Sequence, residues 1–156
     1  MKLLVVALLL AACGSKPAST TTPKEGEAAK EGEAAKVALP DAPFDDLDHD
    51  QRIEFMKQKV MPTMKPIYQN HDAKDFAQFG CVTCHGAQAK EGHFDMPNPK
   101  LPKLNFNDMS KFKKEDIEWM EKEVLPTMAK ILGQPLYSKD NPKGFGCLEC
   151  HTLEGQ

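Results

Sequence analysis

The stretch "FMKQKVMPTMKPI", residues 55–67, is answered further along the chain by "WMEKEVLPTMAKI", residues 119–131. Around the first copy, Ile53, Met56, Val60, Met64 and Ile67 fall three or four residues apart; around the second, Ile117, Met120, Val124, Met128 and Ile131 do the same. That spacing places one apolar stripe on each of two helices. Asp48 or Asp50 is expected to cap the first helix, and Ser110 or the charged residues near it the second. Pro62 and Pro126 interrupt both stripes at the same point. A proline inside a helix forfeits a hydrogen bond and costs about 3 kcal/mol. Its recurrence predicts a kink or a fresh helical start just before Met64 and Met128, or else two short helices with proline in the first turn. No segment alternates as a strand does, so the folded part reads as all-α.

Each helix is followed by a loop and then a cluster: "FGCVTCHG" at positions 79–86 and "FGCLECH" at positions 145–151. The offset between these copies is slightly larger than that between the helices, because the second loop is longer. The repeated unit is thus helix, loop, Cys-x-x-Cys-His. That signature is the attachment site of a c-type haem. Two thiols spaced by two residues reach the two vinyl groups on one edge of a porphyrin, and the next residue lies beneath the iron. On this reading Cys81 and Cys84 hold one haem with His85 as its proximal ligand, and Cys147 and Cys150 hold a second with His151. Zinc is the weaker alternative. The interval from Cys84 to Cys147 is far longer than that of common zinc ribbons, and zinc gives no reason for a histidine after each pair. A thioredoxin-like pair lacks its strand–helix context.

Only Thr152 to Gln156 follow His151, so the far-side ligand of the second haem is expected upstream. Met96 suits that part for the first haem alone. Residues available in both copies are Met56 with Met120 and Met64 with Met128. The latter pair is closer to the clusters, and we expect Met64 and Met128 to be the distal ligands, against the plainer role of core filler. The remaining histidines, His49, His71 and His93, have no counterpart in the second copy. They read as surface residues, with one asymmetric histidine-ligated haem as the alternative.

The unit "VMPTM…FGCVTCHG" and "VLPTM…FGCLECH" resembles the repeats of the cytochrome c subunit of photosynthetic reaction centres. The resemblance covers about residues 48–151 and implies two helix–turn–haem units related by a local two-fold axis, with Met from the preceding helix on the iron. Two units stand here where those subunits typically have four, so a photosynthetic role does not follow.

The N-terminus "MKLLVVALLLAACGS" has a charged start and a short apolar centre, the pattern of an export signal. Leu10-Ala11-Ala12-Cys13 looks like a bacterial lipobox, which implies cleavage after residue 12 and lipid on Cys13; Gly14 favours the periplasmic face of the outer membrane over retention at the inner one. Residues 13–43, including the tandem "EGEAAKEGEAAK", are too polar and repetitive to build a core. They read as a disordered tether with a span of roughly 30 Å. The dihaem domain is expected over 44–156, with one repeat at 48–93, a proline-rich connector at 94–110 and the second repeat at 111–156.

The chain carries 20 Lys and Arg against 23 Asp and Glu. That balance excludes a nucleic-acid partner. From residue 40 onward the count is 15 against 19, a mildly acidic surface suited to redox proteins with basic patches. Lys111, Lys113 and Lys114 form the one basic cluster and read as a solvated helix start. Six-coordinate haems leave no room for a small-molecule substrate, so the expected function is single-electron carriage rather than catalysis. The alternatives are an enzyme or gas sensor with one five-coordinate haem, and a docking subunit of a larger electron-transfer complex.

Overall fold

The computed structural model describes residues 38–155, all within the compact unit that spans Ala35–Gln156. The signal, Cys13 and the tandem hexapeptide lie outside the described residues. The described part is helical. Among the described residues there is no strand, only two isolated parallel bridges, Leu104 with Leu153 and Leu136 with Phe145.

Helix α1 (His49–Phe55) starts at a capping box: Asp48 accepts from the Gln51 backbone N–H at 2.9 Å, and the Gln51 side chain accepts from the Asp48 N–H at 3.0 Å. Asp48 therefore caps it, and Asp50 sits in the first turn. Helix α2 covers Met61–His71. Between them Met56–Val60 forms a π turn, in which the Met61 N–H reaches back to the Met56 carbonyl. The short helix α3 (Cys81–His85) follows this first rod. The second repeat copies the rod. Helix α4 (Lys114–Trp119) leads into a π turn at Met120–Val124 and then α5 (Leu125–Leu132), with the Leu125 N–H on the Met120 carbonyl. Of the expected caps Ser110 is not used: Lys113, one of the charged residues near it, occupies the cap position, without a side-chain bond, while Glu115 and Asp116 complement the helix dipole in the first turn.

The π turns are the form taken by the predicted interruption. Pro62 and Pro126 cannot donate to the ladder, and their rings would crowd the carbonyl four residues back. Widening the ladder just before each proline relieves both problems, so each rod stays helical throughout. The Thr63 hydroxyl donates to the Lys59 carbonyl at 2.8 Å beside the first of these turns.

The two rods meet reciprocally. α2 touches the π turn at Met120–Val124, and α5 touches the π turn at Met56–Val60. Val60, Met64, Tyr68, Phe79, Trp119 and Val124 are buried together there. A second cluster joins Ala129, Leu132 and Phe145, with Phe44 and Phe55 against it. The second rod departs from its expected stripe: Ala129 and Leu132 are buried, whereas Met128 is half-buried. Phe145, arriving from the following loop, covers the face that Ala129 presents, and this turns the buried side of α5 by one residue. That loop is tied by Tyr137 N–H on the Phe145 carbonyl and Phe145 N–H on the Pro135 carbonyl. Gly144 has no alternative there, because a Cβ would stand 2.3 Å from the Leu136 carbonyl oxygen.

Candidate haem-attachment sites

Each Cys-x-x-Cys-His is one helical turn. Gly80 is extended, and its N–H donates to the Thr83 hydroxyl at 3.0 Å to start α3. In the second copy Cys147–Glu149 is a 3₁₀ turn, and the His151 N–H donates to the Cys147 carbonyl at 2.9 Å. Residues three and four apart share a face of such a turn, so both thiols and the imidazole of each motif can address one flat group. All four thiols are free; Cys81 is exposed and the other three are half-buried. Burial pushes the Cys84 and Cys147 thiols up and carries Cys150 to about 12, with Cys84 the next influence on Cys150. The second cysteines of the two motifs thus lie within electrostatic reach of each other. Tyr68 lies within electrostatic reach of both, and burial, then Cys84 and Cys150, raises its pKa.

The histidines differ in setting. His151 Nδ1 lies 2.9 Å from the Pro102 carbonyl. A carbonyl only accepts, so Nδ1 carries the proton and Nε2 is the nitrogen left to meet a metal. His85 is half-buried, and its Nδ1 has no partner within hydrogen-bonding distance. Burial lowers its pKa, and the Phe94 backbone opposes this in part. The Phe94 ring stands edge-on to it at 5.4 Å. His85 is thereby disposed toward the neutral form, the one able to ligate a metal. Paired thiols on one turn followed by a ligating imidazole fit a covalently held haem. Among the described residues no three His, Cys, Asp or Glu side chains are gathered as a metal-ion site.

Met64 is 2% exposed in the first core cluster, and Met128 packs against both clusters, sharing the second with Cys150. Both methionines therefore belong to the packing between the rods. Met96 and Met120 are half-buried. His49 and His93 are exposed, as expected. His71 is half-buried and engaged rather than freely exposed: its Nε2 is 2.8 Å from Asp116 Oδ1, and its ring stacks on Trp119 at 3.9 Å and 3°. It joins the end of α2 to the start of α4. The lysine cluster is partly engaged, Lys111 with Glu154 at 3.0 Å and Lys114 with Glu118 at 3.5 Å. Sequence reasoning missed Tyr68 and Asn98. The Tyr68 hydroxyl had no signal, since Leu132 takes its place in the second copy. Asn98 had one, a turn-forming residue between two prolines.

In comparisons with known proteins, no family model, no curated protein and no solved structure matches the chain. No helix among the described residues is long and apolar enough to cross a membrane.

Proposed function

We propose that the protein is a dihaem c-type cytochrome that carries single electrons between redox protein partners. The observation that carries this reading is the repeated Cys-x-x-Cys-His, each copy folded as one turn, with the His151 Nδ1 proton committed to the Pro102 carbonyl at 2.9 Å. Cys81, Cys84, Cys147 and Cys150 would hold two haems by thioether bonds, and His85 and His151 would ligate the irons. A bound haem would supply a one-electron iron couple, and the chain would orient it and set its ligands. Met64 and Met128 are proposed as the distal ligands. Their thioethers sit on matched helices, and a haem iron held by both a histidine and a methionine would exchange electrons rather than bind substrate. The reciprocal contact of the two rods supports a pseudo-two-fold arrangement of the repeats. The resemblance to reaction-centre cytochrome c repeats is proposed on the same grounds. Lipid on Cys13 would anchor the domain to a membrane, with the periplasmic face of the outer membrane as the proposed site.

Mass spectrometry and pyridine haemochrome assay of protein matured in a cytochrome-competent periplasm test the reading. Two haems per chain are expected, with magnetic circular dichroism showing His/Met ligation. A chain carrying no added haem mass would overturn it. Rapid stoichiometric binding of carbon monoxide to one reduced haem would replace the carrier with an enzyme or sensor.

A further inference from the structure

Asn98 is the most buried polar side chain among the described residues, at 1% exposure, and all its polar groups are engaged. Its backbone N–H donates to the Cys150 carbonyl at 2.9 Å. Its side-chain Nδ2 donates to the Cys84 carbonyl at 2.8 Å. Its Oδ1 accepts from the Lys100 N–H at 2.9 Å, and its own carbonyl accepts from Leu101 N–H at 3.1 Å. The two acceptors on the motifs are equivalent atoms: each is the carbonyl of the second cysteine of its Cys-x-x-Cys-His. One residue, belonging to neither copy, thus grips the same point in both. Room for the amide is left by Gly86, where a Cβ would stand 3.2 Å from Nδ2.

We infer that Asn98 is a positioning residue that locks the two attachment turns at one separation and so fixes how the two haems face each other. This rests on the dihaem reading. One asparagine donating from both its backbone and its side chain keeps the two carbonyl oxygens within about 10 Å of each other. Each carbonyl belongs to a residue whose sulfur would be bonded to a porphyrin edge, so a shift of either turn moves a haem directly. Buried donors of this kind are costly to leave unmade, which makes the arrangement stiff.

The test uses the full chain, haem-loaded, with Asn98→Ala and Asn98→Ser. Serine can still accept from the Lys100 N–H and keep the local turn, but it is too short to reach the Cys84 carbonyl. The expected result is two haems per chain and unchanged absorption spectra in both variants. Both should show a shifted magnetic interaction between the oxidised haems by electron paramagnetic resonance and an altered separation of the two reduction potentials. A residue serving stability alone would lower the melting temperature and leave those two quantities where they were; that outcome overturns the inference. If Asn98→Ala does not fold, Asn98→Ser alone decides. A haem-free wild-type chain sinks the dihaem reading itself and is read separately, by mass.

Discussion

Met64 shows how far one residue can be argued from two sides. It is nearly inaccessible in the seam between the rods, so Met64→Ala should cost about 2–5 kcal/mol by the cavity it leaves. Met64→Leu keeps the volume and should cost less than about 1.5 kcal/mol. If the sulfur also binds iron, Met64→Leu stays folded yet loses the magnetic circular dichroism signature of His/Met ligation at one haem. An unchanged spectrum would reduce Met64 to filler. Tyr68 makes a second case. Burial raises its pKa well above the ordinary phenol value, and in the haem-free chain the neighbouring Cys84 and Cys150 add to this. A group with a raised folded pKa stabilises fully below its unfolded value, near 10, and loses that contribution as pH climbs above it. Tyr68 should therefore ionise only with unfolding, so phenolate absorbance from it rises together with loss of circular dichroism. Tyr68→Phe should move that alkaline transition upward; an unmoved transition would show the hydroxyl to be irrelevant to it.

At the scale of elements, the matched π turns explain how the chain tolerates a proline in the middle of each rod. Replacing an interior helical proline ordinarily recovers about 3 kcal/mol. Here the ladder is already opened ahead of Pro62 and Pro126, so Pro62→Ala and Pro126→Ala should each change stability by no more than about 1 kcal/mol in denaturant unfolding. A gain near the full amount would mean that the turns do not relieve the prolines. These same elements mark what the sequence could disclose. Helix positions, the break before Met64 and Met128, and the two thiol–imidazole turns all depend on neighbours within a few residues, and they are legible. The rotated face of α5 is not, because Phe145 reaches Ala129 through a loop whose path no local pattern states. His71 misled for the same reason: its partners, Asp116 and Trp119, belong to the other repeat. Asn98 was legible only as part of a proline-rich connector and not as a bridge, since Cys84 and Cys150 come to it from opposite sides in sequence.

Across the whole molecule, the described contacts fall within the unit Ala35–Gln156. A chain beginning at Ala35, exported behind an appended signal peptide, should take up two haems with spectra indistinguishable from the full protein; loss of either haem would assign the leading segment a role in the fold. The connector and the residue after it tie the far end of this unit to its middle, through the Leu104–Leu153 bridge and the Asn105 and Lys111 bonds to Glu154. The seam itself is open to observation from outside. Trp119 is the one indole in the chain, and it lies face to face with a ring from the opposite rod. Its fluorescence should change as soon as the rods part, while far-ultraviolet ellipticity still reports intact helices. The molecule carries its own optical gauge of whether its halves are joined.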